Sequence, residues 1–588
     1  MNRTHSLCLA ALLALSCRST STPVQTPTHT DGTAQNTTTA TPPEDTAAHA
    51  PVVHASPPES GPARDVHLPA VRRRRLPNGV ELNAVEYHTL PVVHIRLLVR
   101  AGSAHDPATL PGLASLTGDM LKEGTRTKTS AQIAEAIEFV GGSLDVLTGP
   151  DATTISVSVL KDHAETALSL LAEVLTQPTF PQTELDKLKR RENDRLERSQ
   201  NDPAWLSRRA FAQTVYGANH PYGRYDTTSA VLGRVTRNDI VAFHRARYVG
   251  GAMSLVVVGD LTPAQLDPLV NRTLGTVRAG NPPPLAIPAP PSATARQVVL
   301  VNRPNSPQSV IRIGNPALRR RDDDFVPLTV ANHVLGGGAS SRLFMDLREL
   351  RSLTYGAYAR ISDTVDVGTW TAAGQVRTPV TGDAMHAFFT HIGCLTGTAA
   401  PDAEMTQTRA YLVDSFALTI ETPGNIADLI TGMRLFGLAD NWYDNYRTRV
   451  QQVDGAAALA TAQHYIHPDR AVVVVVGDAD ARVEVGAPCA AAAQLPQDAT
   501  FAQQIQACAG PQEQGGAHPR ETVALKELLR AWGPVRVLAL DGTLQEELAA
   551  SQPQTPPVHA RCEELSAPAI QAMSHHDAPS RAAAPPGR

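Results

Sequence analysis

The chain has 588 residues and a formal net charge of −5, from 52 Lys and Arg against 57 Asp and Glu. At about 100–200 residues per domain the length allows several domains, and a 42% hydrophobic content is enough for large packed cores. The near-neutral balance excludes the basic face of a nucleic-acid binder, and beyond Thr20 no run is long and apolar enough to span a bilayer.

Residues 1–17 read as an export signal. Arg3 gives the positive start, Leu7 to Leu15 the apolar stretch, and Ala14-Leu15-Ser16 the small-residue cleavage pattern; the stretch is too short for a membrane helix. Cys17 follows at once, so the segment is similar to a bacterial lipoprotein signal, and acyl chains on Cys17 would tie the protein to a membrane surface. The alternative is ordinary secretion with Cys17 as the first mature residue. Either way the expected location is the bacterial cell envelope, facing the periplasm. Residues 18–68 are mainly Thr, Ser, Pro, Ala and His, which bury too little to offset ordering entropy, so a disordered tether is expected. Its histidines, His29, His49 and His54, are too scattered to argue for metal.

The folded part divides into 69–280 and 298–545 around a Pro-rich connector, 281–297, from Asn281-Pro-Pro-Pro to Pro290-Pro291 and beyond. The two sides echo each other. His94-Ile-Arg-Leu-Leu-Val and Val310-Ile-Arg-Ile are strand candidates, with Ile95 and Ile311 offset by 216; the helix-like runs that follow end at Leu121 and Leu335, offset by 214. Each side closes on a β-rich run and a Gly-Asp turn, Gly259-Asp260 and Gly477-Asp478, offset by 218. Three agreeing offsets point to duplication. Long helices at Ser130–Val140 and Thr183–Arg198, with alternation in the short strands, imply an α+β sandwich whose sheet has one face on helices. An insert at about 482–519 interrupts the second half, which resumes at Val523 and ends in a strand at Val535-Arg-Val-Leu. Residues 546–588 have a tether-like composition and are expected to be disordered. Of Cys8, Cys17, Cys394, Cys489, Cys508 and Cys562, none forms a CxxC or Cys/His zinc spacing. Cys489 and Cys508 could oxidise and staple the insert, but connectivity cannot be read from sequence.

Several motifs carry a family resemblance. Leu76-Pro-Asn-Gly-Val, Arg100-Ala-Gly-Ser, Gly112-Leu-Ala, Met120-Leu, Gly124-Thr, His220-Pro-Tyr-Gly-Arg224, Tyr248…Val258-Gly259-Asp260 and Leu335-Gly-Gly-Gly-Ala-Ser-Ser-Arg-Leu-Phe344 resemble the M16 (insulinase and mitochondrial-processing-peptidase-like) zinc peptidases across about 69–545. The resemblance implies two homologous LuxS/processing-peptidase-like α/β sandwiches. It also implies an inverted zinc motif, His-x-x-Glu-His, on a helix. Two His at i and i+4 share one helix face and reach one metal, the Glu serves a metal-bound water as general base, and a later Glu completes the ligands.

This chain departs at those slots. Ser115 stands for the first His, Gly118 for the Glu base and Asp119 for the second His, and counting 76 residues beyond Asp119 reaches Arg195, whose guanidinium cannot ligate a cation. Glu192, Asp194 or Glu197 would face the site if the register slips. No zinc ligand set or general base is therefore expected. The family's second element, an Arg and a Tyr seven positions on that bind the substrate backbone and its carbonyl, is matched by Arg348 and Tyr355. Such donors suit a developing negative charge. Gly336-Gly337-Gly338 lacks the Gly-Lys-Ser/Thr ending of a phosphate loop, and its expected use is close approach of a bound extended strand.

The resemblance implies the non-catalytic, Arg/Tyr-bearing subunit of a heteromeric zinc endopeptidase. Its partners would be a zinc-bearing M16 paralogue and an extended unfolded peptide in an enclosed chamber; it would hold no cofactor of its own. A stand-alone peptide-binding envelope scaffold, and a metallopeptidase with a non-standard site, are the other readings.

Overall fold

The structure is a computed structural model that describes residues 66–485, 522–551 and 562–570, without the side chain of Glu563. The expected signal with Cys17, the tether up to residue 65, and Cys489 and Cys508 lie outside the described residues. Those described all belong to one compact unit.

The first half runs β1 (Arg72–Arg75), β2 (Glu81–Glu86), β3 (Val92–Val99), α1 (Leu113–Met120), α2 (Ser130–Glu138), β4 (Ser143–Thr148), β5 (Thr153–Leu160), α3 (Ala164–Thr176), α4 (Gln182–Ser199), α5 (Pro203–Tyr216), α6 (Ser229–Arg234), α7 (Arg237–Arg247), β6 (Met253–Gly259) and α8 (Pro263–Thr273). The second runs β7 (Gln297–Asn302), β8 (Gln308–Pro316), α9 (Phe325–Gly336), α10 (Arg342–Phe344), a π-helix (Met345–Leu350), β9 (Thr354–Ile361), β10 (Thr369–Arg377), α11 (Thr381–Gly397), α12 (Asp402–Thr419), α13 (Pro423–Phe436), α14 (Tyr446–Gln452), α15 (Gly455–Tyr465), β11 (Val472–Gly477), β12 (Arg482–Glu484), β13 (Thr522–Ala524), α16 (Leu525–Leu529), β14 (Val535–Leu538) and β15 (Leu544–Leu548). The connector carries no helix or strand up to Gln297, and His220 Nε2 meets its Pro288 carbonyl at 2.8 Å.

The duplication holds strand by strand. The first sheet has the order β1-β2-β6-β3-β5-β4 and the second β15-β14-β7-β11-β8-β10-β9, so β2, β6, β3, β5 and β4 correspond to β7, β11, β8, β10 and β9. Over these five strands in each sheet, the first pair (β2 with β6, β7 with β11) is parallel and the rest antiparallel. Ile95 faces Val257 and Ile311 faces Val475, which reproduces the 216 and 218 offsets (311 − 95; 475 − 257) as register.

The expectation of one helix-covered sheet face is corrected at the centre of each sheet. β6 and β11 are buried along their whole length. Leu255 and Val257 enter the first half's own core, while Val256 and Val258 pack on Ile426, Ala427 and Ile430 of α13, a helix of the second half. Val473 and Val475 enter the second core, while Val472, Val474 and Val476 pack on Trp205, Leu206, Phe211 and Val215 of α5, a helix of the first half. Each half thus lends one helix to the other's sheet. A strand covered on both faces has no polar side to show, so it reads as an unbroken apolar run. The two lent helices are delimited alike. Asp202 and Thr422 accept bonds from Ala204 N and Asn425 N, Pro203 and Pro423 take the first helical position, and Gly217 (φ 84°) and Gly437 (φ 67°) follow the last turn.

Residues 546–588 also differ from expectation in their described part. β15, which ends at Leu548, pairs with β14 at the sheet edge. Further on, Cys562 forms a disulfide with Cys394 of α11, and Leu565 and Ile570 are fully buried. The three apolar side chains Leu565, Cys394 and Leu350 share one small cluster, which gives this short segment enough burial to order it.

Candidate functional site

The helix that carries the three zinc-motif slots is pinned at its start. Gly112 N and Ala114 N both donate to Asp106 at 2.7 Å, and Gly112 sits at φ 94°, a conformation that favours glycine. Burial pushes the Asp106 carboxyl up to about 7, against those two bonds. Ser115 and Asp119 are half-buried on α1, one turn apart. Gly118 faces the edge strand β4, where a Cβ would lie 2.6 Å from Thr148 Oγ1. That hydroxyl is 3.1 Å from Thr153 Oγ1, which itself donates to the Ala101 carbonyl. The space a general-base side chain would need is therefore filled by a bonded threonine pair.

Around the Arg195 slot, α4 also brings Glu192, one of the alternatives the count allows, to bear on Asp119. The α4 groups whose charges act on Asp119 are Glu192 and Arg191; burial first and Glu192 second push the Asp119 carboxyl up to about 6. Glu192 is one turn before Arg195, and Arg195 Nε binds it at 2.7 Å. The same guanidinium grips Asp226 with two bonds of 3.1 and 3.0 Å; burial lowers its pKa, but these two carboxylates outweigh it and raise it. A fixed cation of the chain thus occupies the carboxylates that a metal would need. Zinc does not fit this donor set: it offers no imidazole, and beside Asp119 the Glu192 carboxylate is already bound by Arg195. Among the described residues no group of three or more His, Cys, Asp or Glu is placed to hold a metal ion.

Arg348 and Tyr355 lie together in the second half. Both line an open cavity of about 460 Å³ with Gln308, Glu349, Ser352, Leu353, Thr354, Gln375 and Arg377, all from that half. The backbone between them is irregular three times. Arg348 sits on the π-helix, a geometry often found at functional sites. Ser352 adopts φ 51°, uncommon for a residue with a side chain. A β-bulge then sets Tyr355 and Gly356 against Gln375 alone, since Ala357 pairs with Gly374 and Thr354 with Val376. The bulge turns Tyr355 out of the sheet: it is 89% exposed, and its hydroxyl has no hydrogen-bond partner among the described residues. The Arg348 guanidinium lies 4.7 Å from the centre of the Phe344 ring and 3.4 Å from Glu349.

The π-helix is held from behind by residues that sequence reading did not single out. Asp346, fully buried, meets His391 Nε2 of α11 at 2.7 Å and takes two bonds from Arg351. Burial opposes its charge, but Arg351 and His391 outweigh it and hold the carboxyl down at about 2. Arg342, equally buried, is bound by Glu404 of α12 at 2.6 Å. The partners are 45 and 62 residues apart, so only the fold reveals them. The Gly336-Gly337 expectation is also corrected: a Cβ at Gly336 would lie 2.3 Å from Ala359 N, and one at Gly337 2.2 Å from His333 Nδ1. These glycines let α9 approach β9 and its own last turn.

Comparison with known proteins bears on the family and the fold. Residues 83–221 match the profile described as insulinase (peptidase family M16), and residues 234–412 match that of the peptidase M16 inactive domain. An uncharacterized zinc protease of Mycobacterium leprae is 25% identical over 394 residues, covering 65% of this chain and 86% of the relative. The crystal structure of a peptidase M16 inactive domain from Pseudomonas fluorescens superposes with TM-score 0.65 at 24% identity, over 69% of this chain and 98% of that one. The periplasmic protease PqqL of Escherichia coli gives TM-score 0.60 at 15% identity, over 72% of this chain and 49% of that one.

Proposed function

Because the chain belongs to the M16 peptidase family, we propose that it is the non-catalytic, substrate-gripping subunit of a heteromeric zinc endopeptidase of the cell envelope. The observation that carries this reading is the stretch from Arg348 to Tyr355. Its π-helix, left-handed Ser352 and bulge cost conformational energy, and they end in a tyrosine the fold does not use. Such a cost is understandable if the guanidinium and hydroxyl serve a ligand. The described chain has no room for a base at Gly118 and no open metal site beside Asp119, so the metal chemistry would come from a zinc-bearing paralogue. Arg348 and Tyr355 would then orient an extended peptide and donate hydrogen bonds to its carbonyl. Both β4 and β9 are edge strands, and an edge offers unpaired backbone groups to an incoming extended chain. Export is supported by the signal-like residues 1–17, by the Cys394–Cys562 disulfide, which suits an oxidising compartment, and by the periplasmic neighbour.

The test is co-purification from the envelope, followed by peptidase assays of each chain alone and of both together. Activity should require both chains and should fall by about 10²-fold with Tyr355→Phe, the effect of losing one donor to a developing oxyanion, while the variant's melting temperature stays put. Full activity of the partner alone refutes the subunit role and leaves the scaffold reading. Zinc bound stoichiometrically by this chain alone would favour the non-standard metallopeptidase instead.

A further inference from the structure

A second cavity lies at the C-terminal end of the lent helix α13, on the face of the first sheet that this helix covers. It has a volume of about 410 Å³ and is lined by Arg73, Arg100 and Arg434 together with Glu81, Ser254 and Asp440. This is within the range of about 300–1,000 Å³ usual for small-molecule sites. Three guanidiniums and two carboxylates leave the lining with one net positive charge, and Arg75 adds another from 3.5 Å beyond Glu81.

The cations here are incompletely matched. Arg434 is 6% exposed; its Nη1 meets Asp440 at 2.6 Å and its Nε meets Asn83 Oδ1 at 2.7 Å, but its Nη2 is buried without a partner. Asn83 is fully buried, and its Nδ2 also has no partner. Arg100 reaches the Arg434 carbonyl but has no carboxylate within ion-pair distance among the described residues. Burial lowers its pKa, Glu81 partly restores it, and Arg75 adds repulsion. Arg73 shares Asp440 and Glu81 at 2.9 and 3.3 Å. A buried donor without an acceptor is costly, and an acceptor entering the cavity beside Arg434 would satisfy its Nη2.

The geometry points to an anion site here, one that takes a small doubly charged phosphate, free or as a monoester, between Arg73 and Arg100 of one half and Arg434 of the other. Forked guanidiniums suit the paired oxygens of such a group. The bound anion would tie the first sheet to the end of α13 and so hold the two halves together.

Thermal melting and calorimetry of the full chain with inorganic phosphate and with glycerol phosphate, at matched ionic strength in chloride, test this. Saturable binding and a higher melting temperature are expected. Tighter binding of glycerol phosphate identifies a monoester site, and equal binding a site for the free ion. Arg100→Gln should weaken binding at least tenfold. Since Arg100 also caps α13, the exposed Arg73→Gln is the second variant and should weaken binding without loss of fold. Asp440→Asn removes a competing carboxylate and should tighten it. Equal protection by chloride or acetate, or binding unchanged in both arginine variants, overturns the proposal.

Discussion

Asp119 shows how position alone sets the behaviour of a carboxyl group. It sits in the last turn of α1, where helix carbonyls disfavour negative charge, it is half-buried, and Glu192 adds repulsion. Its folded pKa of about 6 lies above the ordinary 3.8. The sign follows: an ionised Asp119 costs the folded state stability at neutral pH, and the cost disappears as pH falls below the unfolded value. Asp119→Asn should therefore melt higher than the parent at pH 7.5, with the gap closing towards pH 4; a gap independent of pH would refute this. Asp346 is the opposite case, a carboxylate held down by Arg351 and His391. The family resemblance, laid on the sequence, put the first ligand slot at Ser115, the base slot at Gly118 and the second ligand slot at Asp119, and a helix period then says that Ser115 and Asp119 share a face. The same count reaches Arg195 with Glu192 as an alternative, and Glu192 is the α4 carboxylate whose charge acts on Asp119, because α1 and α4 meet in a register that only packing decides.

At the scale of elements, the exchanged helices dominate. The valine runs of β6 and β11 were legible as strands, and their spacing revealed the duplication. Their two-sided burial was not legible, because the covering helices α5 and α13 lie in the opposite halves of the chain, and periodicity along a helix does not say which sheet it will meet. Phe211 is 5% exposed between the β-strands of the second sheet and its own helix, and Ile430 is fully buried against the first. Truncations of this type cost about 3–5 kcal/mol for Phe→Ala and about 2–5 for Ile→Ala. Denaturant unfolding of Phe211→Ala should show the second half's sheet and the first half's helix losing stability in one transition. A separate, earlier transition confined to α5 would contradict mutual support.

At the scale of the whole molecule, a covalent link ties the tail to the second half. The Cys394–Cys562 disulfide spans 168 residues, and the chain-entropy relation gives about 5 kcal/mol for a loop of that size. It also holds Leu565 against Leu350, the last residue of the π-helix that carries Arg348. Reduction, or Cys562→Ser without reductant, should lower the melting temperature by the same amount. Reduction that leaves the parent's melting unchanged would show the link to be thermodynamically idle. Sequence counting offered Cys489 and Cys508 as a local staple, since nearness along the chain is all that a cysteine list provides.

The reciprocal loan of α5 and α13 has a genetic corollary. A nick in the 281–297 connector would yield two fragments, each with a helix lodged in its sibling, and they would migrate as a single species until denatured. Neither fragment expressed by itself could hide its central valines, so recombination that swaps one half for a foreign copy must supply a matching helix or lose both.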